Sequence, residues 1–111
     1  MPNKPQRVLL VSFDLQTSDE QFKERVANLW NVFAQSEDWW HFLTFAWLVA
    51  TSDTASEFYN KLAPCLRAGD RMLIVEVTQH YWGTLPKEAW DWIYKYIGKT
   101  TVGAVVAGQR P

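Results

Sequence analysis

Cysteine is nearly missing from this chain. Cys65 is the only one in 111 residues, which excludes an intrachain disulfide and any zinc cluster built on cysteine. Histidine is scarce too: His41 and His80 are the only two. Neither has another histidine or a carboxylate at ligand spacing, so both read as structural or exposed rings rather than bases. The eleven Lys and Arg residues run from Lys4 to Arg110 with no two adjacent, and the net charge is −1. A basic stripe able to displace counterions from nucleic acid is therefore missing from the single chain, although a dimer can assemble one. The longest apolar run, Phe42 to Ala50, falls far short of the roughly 20 residues of a spanning helix, so no membrane partner is expected. The first residues carry a basic lead, but Ser12 and Asp14 interrupt the apolar run Val8 to Val11 and no small-residue cleavage site follows. A secretory leader is not expected, and the expected location is the cytoplasm. Phosphate loops, Ser-His-Asp signatures and zinc spacings do not occur either.

What the chain has in abundance is rings. Seven Trp, six Phe and four Tyr stand in a single-domain length, and three of the tryptophans fall in "SEDWWHFLTFAWLVATSD", Ser36 to Asp53. This stretch reads as two strand pieces, Trp39 to Phe42 and Phe45 to Thr51, because aromatic and β-branched residues dominate it. A tight bend or bulge near Leu43 and Thr44 joins them. Arg7 to Leu15 and Met72 to Thr78 are further strands. Phe22, Val26, Leu29, Trp30 and Phe33 recur at helical spacing over Asp19 to Gln35, with Ser18 and Gln21 placed as a capping box. Thr54 and Glu57 have the same spacing before a second helical stripe of Ala55, Phe58, Tyr59 and Leu62. Pro86 opens a third helix, "PKEAWDWIYKYI", which Gly98 closes.

The order strand, helix, strand pair, helix, strand predicts an α+β domain over residues 1–111: a ferredoxin-like βαββαβ antiparallel sheet with an additional C-terminal helix. Residues 99–111 read as a flexible tail or an extra strand. The strands are apolar on both faces, which a single layer of two helices does not explain. The second face, assigned here to Val8, Leu10, Leu48, Met72 and Ile74, needs a cover. A second copy of the chain, the helix bearing Trp90 and Trp92, or both would supply it, and these seven residues form the expected interface.

The segments "RVLLVSFDL", "WWHFLTFAWLV", "DRMLIVEVT" and "WGTLPKEAWDWI" resemble the SinR-like bacterial family. That family resembles in turn the small CRISPR-associated adaptation protein and VapD in fold. The resemblance implies a homodimer of ferredoxin-like subunits packed through their sheets, in a defence or toxin–antitoxin setting. It also implies that the aspartate ending the first strand, here Asp14, lies at the dimer interface, where its counterpart has been associated with divalent-metal nuclease activity.

Three functions follow, in this order. The first is a noncatalytic homodimeric interaction module. The second is a metal-dependent nuclease in which Asp14 from two copies would hold Mg²⁺ to activate water; the plainer reading of Asp14 is a strand-end contact with Arg71. The third is a nucleic-acid binder that stacks bases on Trp90 and Trp92. Lys87, Asp91 and Lys95 give those rings a mixed charge setting, which favours protein contact. Glu76 is expected on the same face as Asp14, as a polar contact across the interface.

Overall fold

Each apolar periodicity becomes one element in the computed structural model, which describes residues 7–43, 46–97 and 105–106. Strand β1 (Arg7–Asp14) leads into α1 (Asp19–Phe33), and β2 (Asp38–Leu43) and β3 (Ala46–Thr51) follow. Then come α2 (Ala55–Leu62), a 3₁₀ turn (Ala63–Cys65) and β4 (Arg71–Glu76). The four strands form one antiparallel sheet in the order β2-β3-β1-β4. Each of α1 and α2 therefore carries the chain past one intervening strand. A short parallel pair, β5 (Thr84–Leu85) with β6 (Val105–Val106), flanks α3 (Lys87–Tyr96). Thr44, Phe45 and residues 98–104 and 107–111 lie outside the described residues, so the bend at Leu43 is seen only as a register shift between Trp40 and Leu43.

The two helix starts are built differently. Thr54 closes a full capping box: its hydroxyl accepts the Glu57 N–H and the Glu57 carboxylate accepts the Thr54 N–H at 2.8 Å. Such a cap is worth about 1 kcal/mol. Ser18 does not make the predicted counterpart. Its side chain makes no capping bond, and its carbonyl alone accepts the Gln21 and Phe22 N–H groups.

The inner face of the sheet, under α1 and α2, holds Leu9, Val11, Phe13, Trp47 and Val49 against Leu29, Phe33, Phe58 and Leu62. Trp47 is the hub of the rings. Phe33 stacks on it at 4.5 Å, Trp30 meets it edge-on at 4.7 Å, and His41 lies parallel to it at 3.9 Å. His41 Nδ1 is 3.3 Å from the Ala46 carbonyl, so this imidazole serves as a wall of the core and donates to backbone.

A buried ion pair ties the loops at one end of that core. Arg25, on the apolar stripe of α1, is buried with Asp70. Its Nη2 bonds Asp70 Oδ2, and its Nη1 bonds Asp70 Oδ1 at 3.2 Å and the Gln16 carbonyl at 3.3 Å. Asp70 also accepts the backbone N–H groups of Gln16 at 2.8 Å and Arg67 at 2.7 Å. Gly69 makes this placement feasible: with φ at 90° it adopts the left-handed turn that brings Asp70 back over the loop. The Arg25 guanidinium beside it holds the Asp70 carboxyl down at about 2, against the smaller upward push of burial.

Candidate interaction surface

The pairing register decides which residues share the outer face, away from α1 and α2. Val8 lies opposite Ala50 and Leu10 opposite Leu48, so these stand on the outer face as expected. Met72 and Ile74 do not. They pair with Phe13 and Val11 and pack into the inner core, which puts Leu73 and Val75 on the outer face in their place. Glu76 is corrected in the same way: it lies opposite Leu9, on the inner side, with its carboxylate 3.4 Å from Arg7. Alternation within each strand was readable, but relating one strand's parity to its neighbour's needs the register.

Helix α3 covers part of the outer face. Ala89, Trp90 and Ile93 pack on Val8, Trp40 and Leu48 to make a second core. Trp90 is only 2% exposed and stacks with Tyr81 and Tyr94, so it anchors its own chain. Trp92 is half-buried and meets Trp40 edge-on. The end of α3 is fastened to β2 by the Tyr96 hydroxyl, which donates to Asp38 at 2.7 Å. That bond raises the Tyr96 pKa, with burial adding to it. Burial pushes Asp38 upward, yet the hydrogen bonds from Tyr96 and the Trp39 N–H, together with the charge of Lys95, leave it lowered.

Between α3 and the sheet lies an apolar cavity of about 350 Å³, walled by Leu10, Trp40, Leu48, Trp90 and Ile93 and edged by Trp82. Among the described residues its walls carry no carboxylate, imidazole or amine, and their polar side-chain groups are the Tyr81 and Thr84 hydroxyls and the indole N–H groups. Among the described residues nothing covers the outer face beyond α3. Leu73 is 65% exposed and Val75 38%, both on β4, while Trp82 beside the cavity is 64% exposed. Large apolar side chains gathered on one face are the mark of a contact surface rather than of a solvated one.

Asp14 stands exposed at the end of β1, opposite Arg71 in the β4 register. It faces the shallow surface around Ser12, Arg71 and Leu73. Among the described residues no three His, Cys, Asp or Glu side chains gather as a metal-binding group. His80 is exposed, and its backbone N–H bonds Thr78 Oγ1. Among the described residues no helix is long and apolar enough to cross a membrane.

The residues that sequence reasoning missed are Leu73, Val75 and the Arg25–Asp70 pair. Arg25 did leave a signal, as a charge on the buried stripe of α1 between Phe22 and Leu29. In comparisons with known proteins, the chain matches no family model, no curated protein and no solved structure.

Proposed function

We propose that this chain is a noncatalytic interaction module of ferredoxin-like topology that self-associates through the open part of its outer sheet face. The observation that carries this reading is the pair Leu73 and Val75, adjacent on that face and exposed where α3 does not reach. The topology is supported by the strand order β2-β3-β1-β4 with α1 and α2 on one face. Kinship with SinR-like proteins is part of the same proposal. It is supported by the quoted segments, which fall on β1, β2 with β3, β4, and the stretch from Trp82 into α3.

The reading makes α3 and a second copy complementary covers: α3 takes the half built on Val8, Trp40 and Leu48, and the partner takes the half on β4. Leu73→Lys tests it. Because Leu73 is exposed within one chain, the substitution should change the stability of the isolated fold by no more than about 0.5 kcal/mol. At a two-fold contact it acts twice, and desolvating the two ammonium groups should weaken the dimer by several kcal/mol, on the order of a hundredfold or more in Kd. Light scattering at micromolar concentration should then give dimer for the unmodified protein and monomer for Leu73→Lys. A dimer that survives the lysine would remove this face from the contact.

A further inference from the structure

The sheet has two outer edges, and they are not alike. The β2 edge is broken by the register shift between Trp40 and Leu43, a device that bends an edge away from foreign strands. The β4 edge runs unbroken over Arg71–Glu76, with charges only at its two ends. Among the described residues no strand lies beyond it.

The direction of its free backbone groups follows from one bond. The Val77 N–H donates to the Val8 carbonyl at 2.8 Å, and antiparallel ladders alternate between bonded and non-bonded pairs. In the observed register, Leu10 with Val75 and Ser12 with Leu73 are then the bonded pairs. Met72, Ile74 and Glu76 consequently turn their N–H and C=O groups away from β1, toward the open edge. Among the described residues this row faces no further strand, and it sits beside the exposed side chains of Leu73 and Val75.

We infer that the β4 edge pairs antiparallel with β4 of a second copy, joining the two sheets into one. The inference rests on the self-association proposed above and places the contact along the strand edge that borders the open part of the outer face. A second copy is the fitting occupant because the strand is self-complementary. Centred on Ile74, the pairing sets Met72 opposite Glu76 of the partner subunit and Ile74 opposite Ile74 of the partner subunit, for about six backbone hydrogen bonds. Shifting the centre to Leu73 or Val75 leaves fewer of the outward groups matched within Arg71–Glu76. The Ile74-centred register also places Leu73 against the partner's Val75 as a non-bonded pair, whose Cα atoms approach to about 4.5 Å and whose side chains touch. Two half-exposed apolar side chains thereby cover each other on the outer face of each subunit.

Cysteine pairing reads this register directly. In a Cys65→Ser background, Leu73→Cys and Val75→Cys chains are oxidised separately and then as a mixture. Opposed residues at this spacing fall within the roughly 4.4–6.8 Å Cα range of disulfides. The mixture should yield cross-linked dimer in at least tenfold excess over either variant alone. Glu76→Pro provides an independent measurement: it removes one outward N–H and leaves the bonds to β1 intact, so dimer Kd should rise at least tenfold while far-ultraviolet circular dichroism is unchanged. A dimer that forms with equal cross-linking in all three samples, and that tolerates Glu76→Pro, overturns the edge pairing while leaving a face-to-face dimer. Absence of any dimer in the unmodified protein overturns both readings.

Discussion

Replacing Asp70 with alanine is expected to remove about 3–5 kcal/mol from the stability of the fold, the usual cost of stripping the partner from a buried charge. Three groups lose their acceptor together. The Arg25 guanidinium stays buried without its counter-charge, and the Gln16 and Arg67 N–H groups lose the carboxylate oxygens that now lie 2.8 and 2.7 Å away. For a domain whose total stability is of order 5–15 kcal/mol, thermal unfolding should move down by more than about 10 °C.

The same pair has a pH signature. Asp70 is held near 2 in the folded chain against an ordinary 3.8. A depressed carboxyl contributes stability that is fully present above its unfolded pKa and is lost as pH falls through its folded one. The contribution is on the order of 2 kcal/mol, and it should disappear between about pH 4 and pH 2. Denaturant titrations of the unmodified protein and Asp70→Asn across this window provide the check. The unmodified protein should lose about 2 kcal/mol more than the asparagine variant; parallel curves would show that Asp70 is not held by Arg25.

Trp90→Ala should cost a similar amount, about 3–5 kcal/mol. The indole is the centre of the outer core, stacked between Tyr81 and Tyr94 and packed among Val8, Trp40 and Leu48. Without it α3 loses its main anchor, leaving Ala89, Ile93, the Trp92–Trp40 contact and the Tyr96–Asp38 hydrogen bond to hold the helix down. Trp82→Ala is the contrasting substitution, since that ring is largely in solvent and its loss should change stability by no more than about 0.5 kcal/mol. Equal effects of the two in urea unfolding would mean that α3 does not dock as described.

Much of the architecture was legible because it rests on local periodicity. The stripe Phe22, Leu29 and Phe33 predicts α1, the Thr54–Glu57 spacing predicts the start of α2, and alternation in "RVLLVSFD" predicts a strand apolar on both faces. The need for a second cover was equally readable from the alternation, which leaves both faces of the strands apolar. What periodicity does not carry is the relation between strands. Met72 and Ile74 were assigned to the outer face because alternation gives two classes within a strand without saying which class joins which across the sheet. The pairing of Ile74 with Val11 settles it, and that pairing depends on the length and conformation of the connection at Gly69 and Asp70.

The candidate site was legible to the same degree. The outer face was expected and Val8, Leu10 and Leu48 lie on it, whereas Leu73 and Val75 emerge only once β4 is in register. Trp90 and Trp92 were expected to cover the outer face from their own helix, to meet a partner, or both, and they are packed within the second core of their own chain. Aromatic content in a helix announces burial but does not say against what.

The central claim is that α3 covers one part of the outer face and a second copy covers the β4 part. Sedimentation equilibrium of the unmodified protein over a range of micromolar concentrations tests it most directly. The account predicts a mass that rises with concentration toward twice the 12.9 kDa of one chain and stops there, because a two-fold edge contact closes on itself. A mass that stays at 12.9 kDa over the whole range would contradict it.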